Sequence, residues 1–142
     1  MSIWKSNSYE TKKPWGSEIG FGSPFGMSGK IINLKADQRT SLKYYRTQSQ
    51  MMYCLHGEVS VFAPNEKEFG DSITEAGSYF LLKPNDVILI QSTNPYRISA
   101  LKDSKLIEVI INKSPLASSD VVMLEDDYGR QISENTEEED II

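Results

Sequence analysis

The sequence predicts an all-β fold of the barrel or sandwich type. Roughly eight or nine short segments rich in β-branched, aromatic and aliphatic residues recur along the chain at nearly regular spacing. Pro, Gly, Asn and Asp separate these segments, and almost none shows the periodicity of an amphipathic helix. With 142 residues and 39% hydrophobic content, the chain suits one compact core of ordinary size.

The N-terminal residues 1–12 are polar and poor in aliphatic side chains, which predicts a flexible arm. The fold is expected to begin at residue 13, where Trp15 lies between Pro14 and Gly16. A large aromatic side chain flanked by turn residues can close one end of a barrel.

The central stretch 41–57 is expected to form a strand, and a turn at His56-Gly57 is expected to join it as a hairpin to a second, antiparallel strand that begins with residues 58–62. Side chains alternate between the faces of a strand, which predicts two inward sets separated by a break at residues 48–49. The sets are Lys43, Tyr45 and Thr47, then Gln50, Met52 and Cys54. Facing inward, they would line a pocket with hydroxyls, an amide and an ammonium.

Further strand segments lie on both sides of this stretch. They are residues 17–21, 30–34, 78–82, 86–91, 96–101 and 106–112. Residues 63–77 contain Pro, Gly and several acidic side chains, which predicts a surface loop or hairpin tip. Residues 119–131 are expected to be extended or to form a short helix.

The cysteine content and hydropathy indicate a reducing, cytoplasmic setting. Cys54 is the only cysteine, so no intramolecular disulfide can form, and the first residues lack the apolar run of a secretory signal. No apolar segment approaches the roughly 20 residues that a membrane helix needs, so we expect no membrane partner.

The net charge of −5 comes from the end of the chain. Five acidic residues lie after residue 133, which leaves 15 acidic and 15 basic residues in 1–133. A balanced charge argues against nucleic-acid binding, which needs clustered Lys and Arg. The acidic segment 132–142 is expected to be a disordered, solvated tail.

Several short motifs occur in the order and spacing of one known family. They are Lys13-Pro14-Trp15-Gly16, Ser41-Leu42, Gly57, Asn94-Pro95-Tyr96-Arg97, Leu106-Ile107-Glu108-Val109 and Leu124-Glu125-Asp126-Asp127-Tyr128-Gly129-Arg130. Over residues 12–130 the chain resembles the cupin domain of type II mannose-6-phosphate isomerases, which usually forms the C-terminal part of a bifunctional mannose-1-phosphate guanylyltransferase. The resemblance implies a cupin jelly-roll barrel (double-stranded β-helix) over residues 13–131, a homodimer, and a sugar-phosphate pocket in the barrel mouth.

The chain departs from that family where the family holds its metal. The family pattern has a His-x-His pair and a Glu on one strand and a further His on a later strand. Here these positions are Tyr45, Thr47, Gln50 and Tyr96, and Lys43 replaces a Gln before the His pair. Neutral Tyr, Thr and Gln are poor ligands for zinc, iron or manganese, so we expect no metal and no other cofactor. A ferric tyrosinate centre on Tyr45 and Tyr96 is the remaining metal alternative, but it lacks a His or carboxylate partner.

Lys43 is the first candidate for the site, because an inward ammonium would take the place of the metal and attract an anion. A register shifted by one residue would instead turn Tyr44 inward and Lys43 to solvent. The resemblance also points to Arg97 and Arg130, whose guanidinium groups suit phosphate. The candidate ligand-binding residues are Lys43, Tyr45, Thr47, Gln50, Met52, Tyr96, Arg97 and Arg130.

Three functions remain open at this point. The first is a metal-free binding module for a sugar phosphate or a similar small polar anion. The second is a divergent sugar-phosphate isomerase or epimerase, in which Lys43 stabilises an enediolate or moves a proton. The third is a structural, dimerising barrel whose pocket is idle.

Overall fold

The computed structural model describes residues 2–22, 26–65, 76–112 and 120–129, and every regular element within them is a β-strand. The strands are β1 (Tyr9–Lys13), β2 (Gly16–Gly22), β3 (Met27–Leu34), β4 (Leu42–Tyr45), β5 (Gln48–His56), β6 (Val59–Pro64), β7 (Gly77–Leu82), β8 (Val87–Ile90), β9 (Arg97–Ala100), β10 (Ser104–Asn112) and β11 (Val121–Glu125). The predicted all-β class is confirmed. This part of the chain contains no helix long and apolar enough to cross a membrane.

The strands form two antiparallel layers. One is a six-stranded sheet with the order β1-β2-β3-β10-β5-β8. The opposite layer contains β7-β6-β9 and the pair β11-β4, and an isolated bridge between Lys43 and Tyr96 joins the two groups. Apolar side chains that alternate along both layers meet between them and form the core.

Trp15 anchors one end of this core. Its indole is 2% exposed and packs in the central apolar cluster with Leu34 and Leu106. The next residue must be glycine, because a Cβ on Gly16 would lie 1.9 Å from the carbonyl oxygen of Asn33. The packing agrees with the expectation that Trp15 is buried in the barrel, but the Pro-Trp-Gly segment follows the first paired strand rather than starting the fold.

The predicted hairpin at His56-Gly57 is wrong. β5 pairs with β10 and β8, whereas β6 pairs with β7 and β9, so the two consecutive strands lie in different layers. Gly57 has a φ of 86°, and a Cβ there would lie 2.2 Å from the hydroxyl of Ser104. The amide of Glu58 donates to that same hydroxyl at 3.0 Å, which turns the chain from one layer to the other.

Other boundaries differ by a few residues. The paired strand β1 begins at Tyr9, inside the segment 1–12 that was expected to be an arm. The break in the central stretch falls at residues 46–47 rather than at 48–49. Of the segment 119–131, the described part forms β11 and is therefore extended rather than helical. Most of the predicted surface loop, residues 66–75, and the acidic tail 132–142 lie outside the described residues.

Candidate functional site

Strand β4 turns the side chain of Lys43 towards the inside of the barrel, as the sequence predicted. Lys43 and Tyr45 are 5% and 3% exposed, whereas Tyr44 between them is only half-buried. The amide of Lys43 donates to the carbonyl of Tyr96, and the amide of Tyr96 donates back at 2.9 Å. This pairing places the Lys43 Nζ 5.3 Å from the centre of the Tyr96 ring, in the range of a cation–π contact.

The opposite wall comes from β5, on which Gln48, Gln50, Met52 and Cys54 are all buried. Gln50 is 2% exposed, and neither its amide oxygen nor its amide nitrogen has a hydrogen-bond partner among the described residues. Burying an amide without a hydrogen-bond partner is unfavourable, because the hydrogen bonds that it makes to water in the unfolded chain are lost and not replaced. Its position therefore indicates a bound water or ligand.

Strands β2, β3 and β10 add buried charges that sequence reasoning missed. Glu18, Lys30 and Glu108 are each less than one-tenth exposed. The Glu18 carboxylate lies 3.4 Å from the Lys30 ammonium and 4.0 Å from that of Lys13, whose side chain is also buried. With Lys43, this buried set carries three ammonium groups against two carboxylates. The described interior therefore holds charged groups of both signs.

The sequence contains a pattern that predicts the burial of Lys30 and Glu108. Lys30 alternates with Ile32 and Leu34, and Glu108 alternates with Leu106 and Ile110. A charged residue within an otherwise apolar period-2 pattern belongs to the buried face of the strand. The same argument that found Lys43 would have found these two residues.

Thr47 belongs to a turn and not to the inward wall. Its hydroxyl and its amide donate to the carboxylate of Asp120 at 2.7 and 2.8 Å, and the amide of Gln48 donates to the other oxygen at 2.8 Å. Asp120 thus closes the turn between β4 and β5. The hydroxyl of Thr47 already has a partner within the protein.

Arg97 lies on the opposite side of β9 from the inward Tyr96, as strand alternation requires. Its Nε donates to the carbonyl of Thr40 at 2.9 Å, and its Nη1 donates to Glu125 at 2.6 Å. Asp127 lies 3.6 Å from Nη2. The guanidinium group is occupied by protein acceptors, so it holds the segment after β11 against the barrel. Arg130 lies outside the described residues.

Arg39 completes this ion-pair cluster. Its guanidinium donates to both carboxylate oxygens of Asp127. These hydrogen bonds, more than the nearby charge of Arg97, hold the pKa of Asp127 below its usual range. The hydroxyl of Tyr128 donates to Gln38 at 2.9 Å and fixes the following turn. The segment that carries the most specific part of the family resemblance therefore has a structural role.

An apolar pocket of about 340 Å³ opens at the seam between the edge strands β7 and β8 of the two layers. Its lining includes Val61, Phe80, Ile90, Pro95 and Tyr96. Tyr96 therefore both lines this pocket and contacts Lys43.

Comparison with known proteins rests on structure. No protein-family model and no curated protein matches this sequence. Oxalate decarboxylase from Bacillus subtilis matches with a TM-score of 0.65 and 15% identity, over 83% of this chain and 30% of that chain. KdgF from Halomonas sp. matches with a TM-score of 0.57 and 13% identity, over 76% and 87% of the two chains. The chain has the cupin jelly-roll fold.

A third cupin-fold neighbour is a conserved protein of unknown function from Streptococcus pyogenes, with a TM-score of 0.53 and 9% identity over 67% of this chain and 72% of that one. The chain spans less than one-third of the decarboxylase chain and most of the other two. At these identities the likeness establishes the fold, and the finer resemblance to mannose-6-phosphate isomerases stays a prediction.

The described residues inside the barrel do not fit a divalent metal ion. Within the described residues, no group of three His, Cys, Asp or Glu side chains could hold one. At the positions where the resemblance places ligands, Thr47 donates to Asp120 and Tyr96 faces an ammonium. The chain's one histidine, His56, is exposed. A cation next to Lys43 would be repelled rather than bound.

Proposed function

We propose that this cupin binds a small organic anion, of the sugar-phosphate class, inside the barrel and without a metal ion. The observation that carries this proposal is Gln50, a buried amide without a hydrogen-bond partner among the described residues, on the buried side of β5 in a barrel that also buries the ammonium of Lys43. An anion with hydroxyl groups would satisfy the amide and bind to the ammonium of Lys43.

The chemistry of the inward groups suits such a ligand. The amide of Gln50 offers two donors and one acceptor oxygen, which match sugar hydroxyls. The ammonium of Lys43 offers three donors and a charge for a phosphate or carboxylate group. Tyr45 and Tyr96 add hydroxyls, and Met52 supplies an apolar wall. The name of oxalate decarboxylase indicates that a neighbour of the same fold acts on a small anion.

A second candidate function is enolisation of a sugar phosphate, as in an aldose–ketose isomerase. The sequence predicted no inward carboxylate to act as base, and the structure has two, Glu18 and Glu108. Glu108, which lies between Lys30 of β3 and Met52 of β5 in the strand register, is the candidate base. Glu108 would take the proton from the carbon beside the carbonyl, and Lys43 would stabilise the enediolate oxygen.

A thermal-shift screen tests the binding proposal. The ligands are mannose 6-phosphate, fructose 6-phosphate, mannose, inorganic phosphate and oxalate. A ligand at 100 times its dissociation constant adds about 2.7 kcal/mol to stability, which raises the melting temperature by several degrees. We expect Lys43→Met and Gln50→Leu to abolish the shift, and the exposed-lysine control Lys83→Met to keep it.

Two results would overturn the proposal. One is no shift with any of these anions, and the other is a shift that survives in both Lys43→Met and Gln50→Leu. The isomerase alternative needs a separate assay, which is conversion of mannose 6-phosphate by protein treated with a chelator. Loss of that conversion in Glu108→Gln, with binding retained, would favour the enzyme; binding without conversion in the unchanged protein would exclude it.

A further inference from the structure

A row of polar and basic side chains crosses the outward side of the six-stranded sheet, at the end that carries the turn between β1 and β2. Its members are paired in register across five neighbouring strands and are Lys12, Ser17, Asn33, Lys105 and His56. Their sequence neighbours Glu18 and Leu106 are buried, and successive side chains of a strand point to opposite faces. The row therefore faces away from the barrel interior, and we call it the basic row.

A β-bulge brings His56 into the basic row. The register between β10 and β5 shifts between Lys105 and Leu106, at the position of Leu55 and His56. Strict alternation from the buried Cys54 would turn His56 towards the interior, but both Leu55 and His56 are exposed. Bulges redirect side chains in this way and are over-represented beside functional sites.

The basic row borders a cavity of about 440 Å³. All five members of the row line it, together with Lys35 after the end of β3 and Asp103 before the start of β10. The carboxylate of Asp103 accepts the amide of Ala36 at 2.8 Å, which holds the chain beside Lys35. The volume lies in the range of roughly 300–1,000 Å³ that small-molecule sites have. Three ammonium groups and an imidazole therefore meet at one cavity, with one carboxylate among them.

The protein neutralises little of this positive charge. Among the described residues, no carboxylate forms an ion pair with Lys35 or Lys105. Lys12 lies 3.4 Å from Glu10, but the two side chains are 82% and 51% exposed, and such an exposed pair contributes little. Three lysines against one aspartate give the lining a formal charge of +2.

We propose that this cavity binds an organic phosphate monoester, at a site separate from the barrel interior and independent of the function proposed above. A phosphate monoester carries a charge of about −1.5 to −2 at neutral pH, which the charge of the lining balances. The flexible four-carbon stems of Lys35 and Lys105 let both ammonium groups donate to one phosphate group. The amide nitrogen of Asn33 and the hydroxyl of Ser17, which lie 3.5 Å apart, add neutral donors.

Apolar side chains beside the basic row suit the organic part of the ester. The next row on the same face contains Ile31, Ile107 and Tyr53, all of them half-buried. A free phosphate ion would fill only a small part of the cavity and would leave this apolar surface in water. An ester whose phosphate lies at the lysines covers that surface with its uncharged part, which adds apolar burial to the ionic contacts.

Calorimetric titration of the full-length protein at low ionic strength tests this proposal. The probes are phenyl phosphate and AMP, with inorganic phosphate and adenosine as partial ligands. We expect at least one ester to bind with a dissociation constant below about 1 mM, and at least about tenfold more tightly than either partial ligand. Lys35→Gln and Lys105→Gln should each raise this constant at least about tenfold. Lys102→Gln is the matched control and should bind normally, because Lys102 lies just before β10 but pairs with Glu58 at 3.7 Å and does not line the cavity.

Lysine acetylation followed by mass spectrometry locates the bound ester. The ester should slow the acetylation of Lys35 and Lys105 but not that of Lys102, and Lys43→Met should bind it as tightly as the unchanged protein does. The substituted lysines are exposed or half-buried at the sheet surface, and unchanged urea midpoints will show that their variants are folded.

Four results would overturn the proposal. They are no binding of either ester below about 1 mM, equally tight binding of inorganic phosphate, binding that is lost in Lys43→Met but kept in Lys105→Gln, and sedimentation with phosphatidic acid vesicles without binding of the soluble esters. Because Lys43 lies inside the barrel and Lys105 outside it, failure of this proposal and failure of the ligand screen above are distinguishable.

Discussion

Asp120 should make one of the largest side-chain contributions to stability outside the apolar core. The carboxylate is 6% exposed and accepts three hydrogen bonds, from the Thr47 amide, the Thr47 hydroxyl and the Gln48 amide. In Asp120→Ala all three donors lose their acceptor. The Thr47 hydroxyl can turn to water, but the amide of Gln48 is left in a buried residue.

The expected loss can be worked out from these contacts. An orphaned buried donor costs about 1–3 kcal/mol, and each hydrogen bond to a charged acceptor contributes about 1.5–3 kcal/mol, with partial compensation by water. We therefore expect Asp120→Ala to lower the free energy of unfolding by about 3–4 kcal/mol. For a chain of this size, that corresponds to roughly 10 °C in melting temperature.

The assay is urea unfolding followed by the fluorescence of tryptophan, since Trp15 is buried in the core. Thr47→Val removes one donor and should lose about 1 kcal/mol, and Asp120→Asn, which keeps one acceptor oxygen, should fall between the two. A loss below about 1 kcal/mol in Asp120→Ala, or the same loss in all three variants, would refute the reasoning.

Three further predictions concern other parts of the barrel. The hydrogen bond from Arg39 lowers the pKa of Asp127, so the stabilisation that this pair contributes is present above the unfolded-state pKa near 3.8 and is lost as the pH falls through the folded-state pKa. The urea midpoints at neutral and at acid pH should therefore differ less in Asp127→Asn than in the unchanged protein. An equal difference in both proteins would contradict this. Burial raises the pKa of the Cys54 thiol, so a thiol reagent at pH 8 should react at least about tenfold more slowly with native than with urea-unfolded protein. Equal rates would show that the thiolate is accessible in the native protein. Gly57→Ala should lower the free energy of unfolding, measured with urea, by about 2–4 kcal/mol, because a methyl group there meets atoms at the start of β10. The control Gly129→Ala has open space and a similar φ, so it should lower the free energy of unfolding by only about 1 kcal/mol. Equal losses in the two variants would rule out the steric explanation.

The sequence sufficed to predict the all-β class, the position of most strands and the inward face of the central stretch. Period-2 alternation identified Lys43, Tyr45, Gln50 and Met52 as inward residues, because burial on one side of a strand leaves a direct trace in the residue order. The pairing of β5 with β10 left no such trace. It joins residues about 50 positions apart, and a glycine turn between two strand-like segments looks the same in a hairpin and in a crossing between layers.

The charged part of the site was harder to find for a related reason. Glu18, Lys30 and Glu108 were not among the predicted site residues, because charged side chains are generally exposed, although Glu108 lies between Leu106 and Ile110 in the period-2 pattern. The partners of Arg97 could not be found from local pattern either. Glu125 and Asp127 reach it only because β11 returns to pair with β4, a long-range contact that a single sequence does not encode visibly.

The pairing of β11 with β4 has a consequence for how the barrel is made. A nascent chain leaves the ribosome with its N-terminal part first, and domains complete their folding once their last required segment is available. The strand that carries Lys43 pairs along one edge with residues 121–125, almost 80 positions later in the chain. Until those residues emerge, that edge presents unpaired amides and carbonyls, so the barrel cannot complete its folding until nearly all of it has been translated.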